Sequence, residues 1–139
     1  MGNALEWNTN IQASSYSSYR SILLHLKLDG HYNQINERDP AIAKFTKFGG
    51  SNSIRGYNEN QFNAQWMSLQ SVELIFGDLY RSQFVAFIDN IYAKDLKIKP
   101  SSGFGIRVFD GKFFYDVSLG FPIGEFREAK LHIKFNTRL

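Results

Sequence analysis

Cysteine is absent from the 139 residues, and the chain contains only three prolines and two methionines. Without cysteine there is no disulfide and no thiolate ligand for a metal ion. No apolar run approaches the roughly 20 residues that a membrane-spanning helix needs, so a helical membrane protein is excluded. Charge of one sign is also scarce, because the net charge is only +3 and the basic residues are scattered among acidic ones. This pattern does not indicate a nucleic-acid partner.

Aromatic residues are abundant, since 13 Phe, 7 Tyr and 2 Trp make up 16% of the chain. Aromatic side chains suit the pleated surface of a sheet, and they favour an all-β protein. The mean hydropathy of −0.31 is polar for a membrane protein. A transmembrane barrel exposes only alternate residues to lipid, however, so the low value does not exclude a membrane.

Apolar and polar residues alternate with a period of two in successive segments, which is the pattern of strands with one apolar face. Asp110-Gly111 is a two-residue hairpin turn signal, and Gly77-Asp78 joins two other segments. We treat residues 1–139 as one domain of about seven or eight antiparallel strands. The predicted strands span residues 5–13, 21–32, 66–76, 83–92, 103–109, 112–121 and 131–138.

Alternation alone does not choose between two kinds of β-protein. A soluble β-sandwich or a lipocalin-like binding module would pack its apolar faces together in a dry core. A transmembrane barrel would turn the same faces to lipid and its polar faces to a hydrated lumen. Residues 33–63 form a polar segment that is too long for an ordinary hairpin loop, which indicates a functional loop.

This long segment contains Phe-Gly-Gly-Ser-Asn-Ser-Ile-Arg-Gly-Tyr at residues 48–57, and the motif resembles a conserved loop of the bacterial surface antigen family. That family includes BamA, TamA and the FhaC-type transporters. In its pattern two glycines precede a tetrad of an aliphatic residue, arginine, glycine and an aromatic residue. The matching residues are Gly49, Gly50, Ile54, Arg55, Gly56 and Tyr57.

The resemblance implies that the loop at 33–63 is extracellular and folds into the barrel lumen, where Arg55 pairs with acidic residues of the inner wall. Glu73 and Asp89 match the family's inward-facing acids. Alternation places Glu73 on the face opposite Val72 and Leu74, so it points inward if those two residues contact lipid. Ile91 stands where the family motif has glycine. An arginine in a confined lumen needs such carboxylates to offset its desolvation.

The resemblance implies an antiparallel transmembrane β-barrel in a Gram-negative-type outer membrane, with a role in inserting or translocating proteins. It further implies partners: outer-membrane lipid, client or assembly proteins, and an N-terminal half-barrel or further copies of the chain to complete the sheet. A third alternative is that the chain closes a small barrel by itself. We expect no enzymatic activity, no cofactor and no metal site. No secretory signal follows Met1, so we expect a mature or truncated chain.

Overall fold

The computed structural model describes residues 6–35, 45–77 and 81–137. In these ranges the chain forms nine strands and one short 3-10 helix, Phe126–Glu128. No helix within them is long and apolar enough to cross a membrane. The strands are β1 (Glu6–Tyr19), β2 (Ile22–Ile35), β3 (Thr46–Phe48), β4 (Phe62–Ala64), β5 (Trp66–Gly77), β6 (Ser82–Ala93), β7 (Leu96–Asp110), β8 (Phe113–Pro122) and β9 (Lys130–Thr137).

The fold is all-β, as the sequence predicts, and seven of the strands form one sheet in the order β1-β2-β5-β6-β7-β8-β9. Every neighbouring pair in this sheet is antiparallel. Strands β3 and β4 pair with each other in a separate small hairpin. The segment 33–63 is therefore not wholly loop, and its hairpin was missed because three-residue strands are too short to show alternation.

Two strands of the sheet are longer than the sequence indicates. Strand β1 continues past Ala13 to Tyr19, because its serine-rich half pairs with β2 along its whole length. Strand β7 begins at Leu96 rather than Gly103, although it contains Pro100. Strand β8 pairs with β7 only from Ser101 onward, so the proline lies where β7 has a single neighbour, which is the position that a sheet tolerates.

The two faces of the sheet differ in chemistry. We call the face that contacts residues 49–61 the inner face and the opposite one the outer face. On β5, Glu73 is 5% exposed on the inner face, whereas Val72 and Leu74 are 42% and 41% exposed on the outer face. The same alternation on β6 buries Asp89 and exposes Ile88. Large apolar side chains thus cover the exposed outer face, and polar side chains cover the enclosed inner face.

The sheet curls around its inner face. Tyr16 of β1 and Lys27 of β2 line the same cavity of about 410 Å³ as His132 and Lys134 of β9, at the other end of the strand order. Within the described residues β1 and β9 nevertheless remain the two edges of the sheet and do not pair. Closure of the chain into a small barrel by itself, one of three alternatives that the sequence leaves open, is therefore not observed.

The most buried apolar cluster lies between the loop hairpin and the inner face, at the end of the sheet where β5 begins. Burial of apolar side chains from both layers fixes the loop on the sheet. Its members are Phe48, Ile54, Tyr57, Ala64, Met67, Leu69, Ile91 and Ala93.

Candidate functional site

The loop that carries the tetrad is folded tightly around its glycines. Gly49, Gly50 and Gly56 have φ values of +125°, +88° and +90°, a region that other residues rarely adopt. The Ser53 side-chain oxygen accepts a hydrogen bond from the Gly49 N–H at 2.6 Å, and the Gly50 N–H donates to the Ile54 carbonyl oxygen at 3.0 Å. The loop therefore has a defined path between β3 and β4.

Arg55 lies on the inner face and joins the two acids that the resemblance singles out. Its Nε and Nη2 donate to the two carboxylate oxygens of Asp89 at 2.8 and 2.7 Å, and its Nη1 donates to Glu73 at 2.7 Å. Its backbone N–H also donates to Asp89 at 3.2 Å. The structure thus brings Arg55, Glu73 and Asp89 together, with all three side chains buried.

Two neighbours complete the surroundings of the guanidinium group. The Ser71 hydroxyl donates to Asp89 at 2.6 Å and accepts from Arg55 Nη2 at 3.2 Å. The ring of Phe87 stacks under the guanidinium, with the charged carbon 3.5 Å from the ring centroid. Burial by itself lowers the pKa of Arg55, but the hydrogen bonds and negative charge of Asp89 and Glu73 outweigh it and raise this pKa above its ordinary value.

The backbone of the tetrad lies directly on the backbone of β8. A Cβ atom added to Gly120 would stand 2.6 Å from the Gly56 nitrogen, and one added to Gly56 would stand 2.8 Å from the Phe121 nitrogen. Glycine at both positions permits this close approach. The Gly56 N–H donates to His132 Nε2 of β9 at 3.0 Å, so the loop also contacts the last strand.

The two apolar members of the tetrad pack into the buried cluster. Ile54 is fully buried and Tyr57 is 8% exposed. The Tyr57 hydroxyl donates to the carbonyl oxygen of Pro100 at 3.3 Å, and its ring meets Phe62 edge to face. Ile91, at the position of the family's glycine, is fully buried in the same cluster, so an apolar contact stands there in place of a close backbone approach.

Sequence reasoning did not find the second half of this network. Arg107 donates to both oxygens of Glu73 at 3.1 and 2.8 Å and to Asp116 at 2.9 Å. His25 Nδ1 is 3.0 Å from Glu73, and its ring stacks on Tyr16. Alternation contains the signal, because these residues fall on the polar face of their strands, but only the strand register shows that they meet at Glu73.

The network is an extended chain of alternating charges. From Asp89 it runs through Arg55, Glu73 and Arg107 to Asp116, and it connects the loop with four neighbouring strands, β5 to β8. Each carboxylate has a cationic partner, which offsets the desolvation of the buried charges. Among the described residues no group of three or more His, Asp or Glu side chains is arranged to hold a metal ion. The network therefore braces the loop against the inner face of the sheet.

No protein-family model matches the chain, and no curated protein sequence matches it.

Proposed function

We propose that this chain forms the C-terminal wall of an outer-membrane β-barrel of the BamA/TamA kind, which inserts proteins into the outer membrane or translocates them across it. The observation that supports the proposal most directly is the seating of Arg55 on Asp89 and Glu73. A loop that is simply exposed to solvent does not need a buried arginine with two carboxylate partners, whereas a loop that braces a lumen does.

The distribution of apolar side chains supports a membrane location. A soluble sandwich or lipocalin-like module would cover its apolar faces with a second layer or enclose them. The described residues provide no second layer over the outer face, which carries half-exposed rings and aliphatic chains on β2 and on each strand from β5 to β9. Hydrocarbon is the solvent that such a face fits, while the polar inner face fits a hydrated lumen.

The proposed mechanism uses the loop as a brace rather than as a catalyst. The Arg55 side chain ties the loop to β5 and β6, and the Gly56 N–H ties it to β9. A sheet held by the loop in this way keeps its curvature, while its edge strands stay free to pair with another chain. An unpaired strand edge pairs readily with an extended segment of another chain, so the edge would template a client strand.

The proposed orientation follows from the loop. With the loop extracellular, the turn at Asp110-Gly111 and the end of β9 lie on the periplasmic side. Trp66 and Tyr92, whose rings are 5.3 Å apart, then lie near the extracellular interface. Phe76 and Phe84 lie near the periplasmic interface. Aromatic girdles at both interfaces are typical of outer-membrane barrels.

Refolding with and without detergent tests the proposal. We expect β-sheet circular dichroism and heat-modifiable migration only with detergent or lipid, and a weaker folded band for Arg55→Ala. Lys47→Ala is the matched control, because Lys47 is an exposed cation in the same segment. A monodisperse folded protein in plain buffer would overturn the membrane location and leave the soluble binding module. Equal effects of the two substitutions would overturn the brace.

A further inference from the structure

A groove runs along the outer face between β1 and β2. Its upper part, about 370 Å³, lies over Gly30 and is walled by Ile11, Tyr32 and Trp66. Its lower part, about 240 Å³, lies beside Ala13 and Leu26. The groove exists because small residues replace bulky ones: a Cβ on Gly30 would meet nothing closer than 3.9 Å. Its walls are apolar, in keeping with the rest of the outer face.

The length of this groove fits one acyl chain in one leaflet. From Thr9 to Ser15 the strand rises about 20 Å, at ~3.3 Å per residue. In a barrel strand tilted by roughly 45°, that length covers about 14 Å of depth, close to half of a ~30 Å hydrocarbon core. A groove of this extent would hold a single chain lying along the strand.

Hydrogen-bonding side chains lie beside the upper part of the groove, on an otherwise apolar face. Ser68 is the cross-strand partner of Gly30. The Gln70 side-chain amide donates to the Ser68 hydroxyl at 2.7 Å, and the Asn90 side-chain amide donates to the side-chain amide oxygen of Gln70 at 2.9 Å. A polar cluster at this depth costs free energy in pure hydrocarbon, but it suits the linkage region where acyl chains join a headgroup.

One cation, Lys94, lies level with Trp66 at the loop end of the sheet. The Lys94 N–H donates to the Trp66 carbonyl oxygen at 3.2 Å, so the lysine stands next to Trp66. Its ammonium group donates to Gln65 at 3.0 Å and has no carboxylate partner among the described residues. The cation is therefore level with the loop end of the groove, which Tyr32 and Trp66 line. An anionic lipid that places its phosphate at this cation can extend one acyl chain from there along the groove towards Leu26.

We propose that the outer face of β1, β2 and β5 binds one anionic lipid from the leaflet nearest the loop. Its phosphate lies at Lys94, its linkage region lies at Ser68, and one acyl chain lies in the groove from Gly30 towards Leu26. The inference rests on the membrane location proposed above, and it adds the class of lipid and the place where that lipid binds.

Fluorescence quenching of Trp66 tests the lipid site. In a Trp7→Phe background Trp66 is the only tryptophan. The protein is refolded into phosphatidylcholine vesicles that contain a small, equal fraction of either brominated phosphatidylglycerol or brominated phosphatidylcholine. We expect the anionic lipid to be enriched about two- to five-fold at Trp66, the range of an exposed ion pair. Lys94→Gln should remove the preference, and Lys47→Gln should keep it.

A second pair of variants tests the groove itself. Gly30→Val fills the groove on the outer face and should reduce quenching by both brominated lipids. Ala86→Val places the same valine side chain elsewhere on the outer face and should leave quenching unchanged. Equal quenching by the two lipids in the starting protein would overturn the anionic site alone. An unchanged Gly30→Val would overturn the groove alone, and failure to fold in any vesicle would overturn the proposed function with it.

Discussion

Arg55 is bound by its shape as well as by its charge. Its planar guanidinium donates in a fork to both oxygens of Asp89 and reaches Glu73 with a third N–H. A lysine ammonium would supply the same charge as a single point and could not reproduce this fork. The carboxylates are as dependent on the arginine as it is on them, because all three groups are buried.

Two substitutions of Arg55 should therefore lower the free energy of unfolding by different amounts. Removing one partner of a buried ion pair costs about 3–5 kcal/mol, so Arg55→Ala should lower the free energy of unfolding by that amount. Arg55→Lys keeps the charge and loses the fork, so its effect should be smaller. Urea unfolding of the refolded protein in detergent, followed by circular dichroism, measures both. Identical unfolding midpoints for Arg55→Ala and Lys47→Ala would contradict this account.

We expect the stability of the loop to depend on pH through Glu59. Its carboxylate accepts a hydrogen bond from the Ser51 N–H at 2.7 Å and sits where a side chain on Gly50 would otherwise stand. Burial by itself raises the pKa of Glu59, but the hydrogen bonds from Ser51 and nearby positive charge outweigh it and lower this pKa below its ordinary value. A carboxylate with a lowered folded-state pKa stabilises above its unfolded pKa and loses that contribution as the pH falls through the folded one.

The amide resonance of Ser51 should report this titration. We expect its chemical shift to change with a midpoint below the ordinary pKa of glutamate, and its protection from hydrogen exchange to fall at the same pH. Glu59→Gln should remove both changes. A midpoint at or above the ordinary value would show that the hydrogen bond does not hold the carboxylate in solution.

At the scale of elements, the loop packs on a part of the sheet where two glycines leave the inner face without side chains. Gly103 of β7 and Gly120 of β8 are cross-strand neighbours on the inner face. The ring of Phe87 occupies the place of a side chain on Gly103, and the backbone of Gly56 occupies the place of one on Gly120. Glycine weakens a strand interior, so its use here is explained by the close approach that it permits.

Adding one methyl group to this surface should displace the loop. In Gly120→Ala the new Cβ would stand 2.6 Å from the Gly56 nitrogen, a backbone atom that cannot rotate away. Overpacking of this kind costs about 1–3 kcal/mol. Gly30→Ala is the matched control, since its Cβ would meet nothing closer than the Ile11 carbonyl oxygen at 3.9 Å, an ordinary contact. Urea unfolding of the two variants measures the difference, and a control as unstable as Gly120→Ala would show that strand propensity, not the loop contact, is responsible.

At the scale of the molecule, the odd number of strands in the sheet limits how the sheet can become part of a closed barrel. Seven antiparallel strands leave β1 and β9 running in the same direction. The two edges of one chain, or of copies related by an axis along the membrane normal, would meet as parallel strands. An all-antiparallel barrel therefore needs an odd number of strands from elsewhere. Unpaired edges are not tolerated in hydrocarbon, so such a complement is a requirement of the proposed location.

Hydrogen exchange in detergent should reveal the two edges. We expect strong protection in β5, β6 and β7, which have neighbours on both sides, and protection of only about half of the amides in β1 and β9. Addition of the segment or chain that completes the sheet should protect the remaining edge amides. Full protection of both edges in the isolated monomer would instead show that the chain closes on itself.

The seven strands of the main sheet, their strand type and the inward direction of Glu73 and Asp89 could be predicted from the sequence, because alternation with a period of two is a local property. The short hairpin of β3 and β4 could not, since its two strands are brought together by contacts such as Phe48 with Phe62. The lengths of β1 and β7 were underestimated because serine and proline hide the pattern, while pairing with β2 and β6 sustains the strands.

What the sequence determined by itself is the all-β chain, its two-faced strands and the loop motif around Arg55, each of which is encoded in neighbouring residues. Only the tertiary structure decided that Arg107, Asp116 and His25 extend the ion-pair network. It also decided that His132 accepts a hydrogen bond from the Gly56 N–H. These contacts join residues far apart in the chain, and they depend on strand register and on the curl of the sheet. Register fixes which polar residues meet on the inner face, and curl brings the first and last strands to one cavity.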